Sequence, residues 1–287
     1  MLTKLPKATD IKLIATDIDG TLLNPHGKIS EKTALVIKKV LKKYPNLYFV
    51  LASGRSRPAT TDICETLNIV DRPKTESILC NGCIIYDSFG NIIWKNTIPV
   101  DFIVKCHDLF KDSYSNNLLY SSGDDAFMFD EHWAKIARDR YQEQTVIVDK
   151  EEYIEKVKSG ESEVNKVCYM VKNPSEAEEI QKSIEHLREE YNLECTYSTG
   201  IFLDYMPDQT NKGSSITQLL KILNISKEEV LAFGDANNDI ALLNNVGWPV
   251  AMGNATEKLK SHAKIVTKSN AEDGLAYILE NIFLKET

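Results

Sequence analysis

Two short, mostly apolar runs, Lys12-Leu13-Ile14-Ala15-Thr16 and Leu47-Tyr48-Phe49-Val50-Leu51-Ala52, have the length and continuity of strands covered on both faces. Between them Ser30 can cap a helix over Glu31 to Tyr44, where Ala34, Ile37, Val40 and Leu41 recur at helical spacing and Pro45 stops it. Pro58 stands where the first turn of a second helix begins, leading through Ile63 and Leu67. Strand, helix, strand, helix in succession predicts a parallel sheet. Ser77 to Cys80 reads as a third strand, and Ile84-Ile85-Tyr86 and Ile92-Ile93-Trp94 flank Phe89-Gly90-Asn91 as a hairpin.

The rhythm then changes. From Pro99 to Gly200 the pattern predicts a helix over Asp101 to Phe110, strands around Leu118–Tyr120 and Phe127–Phe129, and a helical stretch through Tyr153–Val157. A strand at Val167–Val171, a long helix after Pro174 and a strand near Cys195–Tyr197 follow. The strand–helix rhythm resumes with a helix over Asn211–Leu223, a strand at Val230–Phe233, a helix over Asp239–Asn244 and a strand at Pro249–Ala251. A helix from Thr256, a strand at Ile265-Val266 and a closing helix from Ala271 complete it. The expected class is α/β: a Rossmann-like, doubly wound parallel-sheet core from residues 1–90 and 201–287, interrupted by an inserted α/β domain at 91–200.

Composition narrows the partners. With 43% hydrophobic and 26% charged residues over 287 positions, the chain is globular in character and not a disordered tract. Lys and Arg number 34 against 42 Asp and Glu, a net charge of −8 with no basic run, which argues against nucleic acid as a partner. The acid excess is local: residues 91–200 hold 13 basic and 22 acidic side chains, net −9, against 21 and 20 elsewhere. Apolar stretches fall short of the ~20 residues that span a bilayer. The opening MLTKLPKATD has no apolar core before a cleavage site. A soluble cytoplasmic protein with no membrane partner is expected, its six scattered cysteines reduced. Cys80-Asn81-Gly82-Cys83 lacks a second pair, so Cys80 and Cys83 read as ordinary buried thiols. His26, His107, His132, His186 and His262 show no metal-binding spacing. Trp133, Tyr141 and Phe127-Met128-Phe129 are expected to serve the insert's own core.

Four strand-end elements carry candidate chemistry. Asp17-Ile18-Asp19-Gly20-Thr21 follows the first buried strand, placing two carboxylates at the carboxyl end of the sheet where such folds bind ligands. Gly234-Asp235-Ala236-Asn237-Asn238-Asp239 follows another strand and offers oxygen donors suited to a hard cation such as Mg²⁺. Ser53-Gly54-Arg55 ends the second strand with a hydroxyl, a glycine and backbone N–H groups near a helix start, an anion cradle. Lys212 opens a helix, where the dipole disfavours a cation that has no anionic partner.

In this chain order the elements resemble the four motifs of the haloacid-dehalogenase-like phosphatase superfamily: Asp17-x-Asp19-Gly20-Thr21, Ser53-Gly54-Arg55, Lys212, and Gly234-Asp235-x-x-Asn238-Asp239. The Asn81-Gly82 pair and the insertion between the second and third motifs resemble the Cof-type branch with its α/β cap. The resemblance implies that Asp17 attacks phosphorus to form an aspartyl-phosphate and that Asp19 serves as general acid and base. It implies Mg²⁺ at Asp17, the backbone carbonyl of Asp19 and Asp235, supported by Asn238 and Asp239. Ser53 and Lys212 would hold the phosphoryl oxygens, with Gly54, Arg55 and Asn81 in the phosphate- and substrate-binding set and Arg55 and Lys166 toward the leaving group. The implied substrates are small phosphorylated metabolites such as sugar phosphates, pyridoxal phosphate or nucleotide-derived monophosphates, taken by a monomer or homodimer. A phosphomannomutase-like isomerase and a non-enzymatic phosphometabolite sensor are the alternatives; the acid at position 19 favours catalysis.

Overall fold

The computed structural model describes residues 5–111 and 113–285, so residues 1–4 of the stretch read as leaderless lie outside it. The first part of the chain runs β1 (Leu13–Thr16), α1 (Glu31–Lys43), β2 (Tyr48–Ala52), α2 (Thr61–Leu67), β3 (Ser77–Leu79), β4 (Ile84–Tyr86) and β5 (Ile92–Lys95). The middle comprises α3 (Val100–Leu109), β6 (Leu118–Ser122), β7 (Asp125–Met128), α4 (Glu131–Tyr141), β8 (Thr145–Ile147) and α5 (Lys150–Lys158). It continues through β9 (Lys166–Met170), α6 (Pro174–Glu190), β10 (Glu194–Ser198) and β11 (Phe202–Met206). The last part holds α7 (Lys212–Leu223), β12 (Val230–Gly234), α8 (Ile240–Asn244), β13 (Trp248–Ala251), α9 (Glu257–Lys260), β14 (Ile265–Val266) and α10 (Gly274–Leu279).

An eight-stranded sheet has the order β14-β13-β12-β1-β2-β3-β4-β5, parallel from β14 to β3 and antiparallel for the last two pairs. β1 is flanked by β12 and β2, with Leu13 opposite both Val230 and Tyr48. Winding proceeds outward in one direction through β2 and β3 and in the other through β12, β13 and β14. The switch point therefore lies between β1 and β12, where open α/β sheets leave a crevice at the strand carboxyl ends. All four residues of β1 and all five of β12 are buried, as strands with helices on both faces must be. Ser30 caps α1 by accepting from the Thr33 N–H, and Ile37 and Val40 on its inner face are fully buried.

The middle strands form a second sheet, β10-β11-β9-β6-β7-β8, antiparallel except for β7 with β8. Side chains alternate between its faces. Leu118, Tyr120, Val167, Tyr169, Leu203 and Tyr205 join the apolar cluster with α3, α5 and α6. Leu119, Cys168 and Met170 belong to the opposite face, where α4 adds Trp133, Ala134 and Ala137. Of the expected insert boundaries, residue 91 falls just before β5, which pairs with the first sheet. Residue 200 falls just before β11, which pairs with the second.

Several local expectations are corrected. The helix placed from Pro58 opens as a tight turn at Pro58–Thr60 before α2. The closing helix begins at Gly274 and not at Ala271, because Asp273 adopts a left-handed conformation with φ 58° and breaks the chain direction after a tight turn at Asn270–Glu272. Helix α4 and strands β8 and β11 lie where no element was expected. Trp133 is in the insert's core and Phe127 and Phe129 pack on it, as expected, but Tyr141 lines a cavity between the two sheets. All six cysteines are free, and burial pushes the Cys80 and Cys83 thiols up. Among the described residues no helix is long and apolar enough to cross a membrane.

Candidate active site

Asp17 leaves β1 with its N–H bonded to the Phe233 carbonyl of β12, so the switch point itself fixes its backbone. The chain then makes a tight turn over Ile18–Leu22 in which Gly20 has φ +85°, a conformation that side chains rarely adopt. A Cβ on Gly20 would lie 2.3 Å from an Asp235 carboxylate oxygen. Glycine there lets the loop after β1 close on the loop after β12. Thr21 completes the junction by donating its hydroxyl to Asp235 Oδ1 at 3.0 Å.

Lys212 sits at the first position of α7, whose cap Asn211 accepts from the Gly213 and Ser214 N–H groups. The side chain is 1% exposed, and its Nζ donates to Asp17 Oδ1 at 2.6 Å and to Asp239 Oδ1 at 2.7 Å. The two anionic partners offset both burial and the unfavourable helix dipole, and they hold the ammonium above its ordinary pKa despite burial, which acts the other way. Asp239, fully buried, accepts at its other oxygen from the Asp235 and Ala236 N–H groups, each 3.1 Å away. That bond set explains the loop after β12: Asp239 folds the Gly234–Asp239 turn back on its own backbone.

The carboxylates are crowded. Asp17, Asp235 and Asp239 offer oxygens that all lie within 4.8 Å of one another. Burial, then Asp239, push the Asp17 carboxyl well above its ordinary value even though Lys212 opposes them. Burial and Asp239 push Asp235 up to about 6. Three carboxylates against one ammonium leave an excess of two negative charges among hard oxygen donors, which fits a divalent cation of the Mg²⁺ kind. Asp19 points elsewhere: Arg55 donates to both of its oxygens, Nε to Oδ2 at 2.8 Å and Nη2 to Oδ1 at 2.7 Å, and Arg55 Nη1 is tied to the Ala59 carbonyl at 3.2 Å. The Asp19 carboxylate thus stands beside the cluster in a two-pronged clamp, while its loop shares the Asp17 turn.

The remaining sequence candidates form the wall toward the insert. Ser53, 1% exposed, accepts from the Arg55 N–H at 3.2 Å, and its own hydroxyl donates to no acceptor among the described residues. Asn81, in a left-handed conformation, donates its amide to Asp204 of β11 at 2.8 Å and accepts from Asn238 at 3.4 Å. It thereby joins the Ser53-Gly54-Arg55 loop, the Asp235 loop and the insert; a Cβ on Gly54 would come to 3.1 Å from its oxygen. Lys166 of β9 donates to the Gly54 carbonyl at 3.0 Å and pairs with Asp204 at 3.2 Å, so its charge is answered within the insert.

These groups enclose a cavity of about 260 Å³, a size suited to a small ligand, with Asp17, Asp19 and Asp235 on its floor and Ser121, Tyr141 and Phe202 among the insert residues above. The lining residues that the sequence does not single out include Ser121, Glu143, Ser198, Thr199, Phe202 and Asp204. The available signal was Asp204, an acid within Phe202-Leu203-Asp204-Tyr205-Met206 at a position that the strand period turns to the same face as Lys166.

The haloacid dehalogenase-like hydrolase family profile matches residues 14–279. The chain is 28% identical to the 5-amino-6-(5-phospho-D-ribitylamino)uracil phosphatase YcsE of Bacillus subtilis, over 93% of this chain and 94% of that protein. It is 26% identical to the pyridoxal phosphate phosphatase YbhA of Escherichia coli, over 93% and 97%. Among solved structures, a HAD/COF-like hydrolase from Plasmodium vivax superposes with a TM-score of 0.83 at 28% identity, covering 96% of this chain and 97% of that one.

Proposed function

The chain belongs to the haloacid dehalogenase-like hydrolase family, and from that premise we propose that it is a Mg²⁺-dependent phosphatase of small phosphorylated metabolites, working through an aspartyl-phosphate on Asp17. The observation that carries this reading is the buried cluster in which Lys212 bridges Asp17 and Asp239 beside Asp235, with the Arg55-clamped Asp19 next to it. The small enclosed cavity and the phosphatase names of the relatives support a metabolite-sized substrate, with pyridoxal phosphate and phosphorylated ribityl compounds as the first to test.

In this reading Asp17 Oδ attacks phosphorus and the bond from phosphorus to the leaving oxygen breaks, while Asp19 gives that oxygen its proton. Water then attacks the phosphorus of the acyl phosphate, Asp19 takes the water's proton, and cleavage of the bond to Asp17 restores the carboxylate and frees inorganic phosphate. Lys212 and the Ser53 hydroxyl hold the phosphoryl oxygens, and Arg55, which donates to both Asp19 oxygens, must release one of them for Asp19 to carry its proton while holding the other in place. Asp17, Asp235 and the Asp19 backbone carbonyl would hold Mg²⁺, with Asp239 and Asn238 in support. Bound there, the cation offsets repulsion between the carboxylates and the substrate phosphate. Asn81, through Asp204, ties the insert's position to the core.

The test is phosphate release from phenyl phosphate and a panel of phosphorylated metabolites, with Mg²⁺ and with chelator, for the wild type and Asp19→Asn. Release that requires the metal and is lost in the variant is expected. Turnover only when a bisphosphorylated sugar is added would transfer the reading to the mutase, and release unchanged by Asp19→Asn would refute the assigned acid.

A further inference from the structure

The insert presents a chemically lopsided wall to the cavity. Lys166 is the one cation it contributes there among the described residues, and Asp204 and the Gly54 carbonyl engage that ammonium. Glu143, directly after the left-handed Gln142 that ends α4, also lines the cavity. Its Oε1 accepts from the Ser56 N–H at 3.3 Å, and the Ser56 side chain also stands against the carboxylate. Burial pushes this carboxyl up against the opposing pull of Lys166 and Arg55, so it is a partly desolvated acceptor with capacity to spare. Beside it Tyr141 and Phe202 meet edge to face, ring centroids 4.5 Å apart, and Leu119 and Cys168 extend the apolar shelf. An organic group on this shelf gains by bringing a donor to Glu143. A second anion would face the Glu143 carboxylate, and the insert's Lys166 is already engaged by Asp204 and the Gly54 carbonyl.

Building on the phosphatase reading, we propose that Glu143 selects the leaving group: its cavity-facing carboxylate receives a protonated nitrogen or a hydroxyl from a phosphomonoester whose organic part rests on Tyr141 and Phe202 and bears no second anionic group. Glu143 is thus a specificity residue, and the substrate class is the phosphate ester of an amino alcohol or polyol, or of a ring carrying such donors.

Three phenyl phosphates that differ only at the far end of the ring separate the possibilities: phosphotyramine with an ammonium, phosphotyrosol with a hydroxyl, and the phosphate ester of hydroxyphenylacetate with a carboxylate. Phenyl phosphate itself reports on the phosphatase reading. Wild type is expected to favour the ammonium and hydroxyl compounds over the carboxylate by roughly tenfold or more in kcat/KM, mostly through KM. Glu143→Gln, which keeps the oxygen that accepts from Ser56 and removes the charge, should collapse the ammonium preference, and Glu143→Lys should reverse it. Binding of the free phenols tyramine, tyrosol and hydroxyphenylacetate, measured by calorimetry, should give the same order without requiring turnover. Hydrolysis of phenyl phosphate with no preference among the three esters, or a preference that survives Glu143→Gln, overturns the assignment to Glu143 alone. The expected binding order without any hydrolysis supports Glu143 and overturns the phosphatase reading. Neither hydrolysis nor an order of binding overturns both.

Discussion

Replacing Lys212 by methionine removes the one ammonium from a cluster of buried carboxylates while keeping most of the side-chain volume. Asp17 and Asp239 are 7% and 0% exposed and each loses a hydrogen bond of 2.6–2.7 Å. Breaking a buried ion pair by deleting one partner costs about 3–5 kcal/mol, because the other partner stays desolvated and unanswered. The carboxylates have an escape, since Asp17 already sits well above its ordinary pKa and loss of Lys212 raises it further. A carboxyl raised in the folded state favours folding below its unfolded pKa and loses that contribution as pH rises through the folded value. The destabilisation of Lys212→Met should therefore be small at acid pH and grow toward its full size at about pH 8. Saturating Mg²⁺ should recover part of it by answering the same charge. Urea denaturation of wild type and variant at both pH values, with chelator and with Mg²⁺, reads all three terms. A loss below about 1 kcal/mol at alkaline pH in chelator, the size of an exposed pair, would refute the account of this cluster.

Other consequences follow from single residues. Gly20→Ala puts a methyl 2.3 Å from the Asp235 carboxylate at a left-handed position, so Mg²⁺ affinity measured by calorimetry should fall, with unchanged affinity contradicting the close approach of the two loops. Arg55→Lys cannot clamp both oxygens of Asp19; kcat should drop roughly 10- to 100-fold with KM less affected, as expected for a misaligned acid. Glu76 is buried with one oxygen unpartnered, and burial raises its pKa. Its contribution to stability is therefore lost as pH rises above the carboxylate range, and Glu76→Gln should flatten the decline of Tm with pH expected of the wild type. A parallel decline in both proteins would assign that pH dependence elsewhere.

The legible part of the molecule is the part whose signals are local. β1, β2 and β12 announce themselves as apolar runs because both their faces are buried, and the acidic turns after β1 and β12 stand out because they converge on one end of the sheet, each supporting the other. The insert's sheet has one face on the main apolar cluster and the other divided between α4 and the cavity, so its pattern is mixed. β11 is hard to read because Asp204 interrupts its apolar run, although that acid is buried against Lys166 and Asn81. Helix α4 is obscure for a related reason: it buries only Trp133, Ala134 and Ala137, a narrow stripe in which two members are small, between charged residues. Glu143 is legible only in three dimensions, since the end of α4 brings it to Ser56, 87 positions away in the chain. The Arg55 clamp on Asp19 was equally hidden, because two sequence motifs on different strands say nothing of which side chains face each other.

The central claim is that Asp17 carries the phosphoryl group between the two halves of the reaction, and it is tested most directly by trapping. Asp19→Asn should slow release of the group more than its transfer from an activated aryl phosphate, so acid quenching followed by peptide mass spectrometry should find one phosphoryl group on the peptide containing Asp17. The double variant carrying Asp17→Asn as well should show none. A peptide that stays unmodified while phosphate is still released, or a phosphoryl group on another residue, would contradict the account.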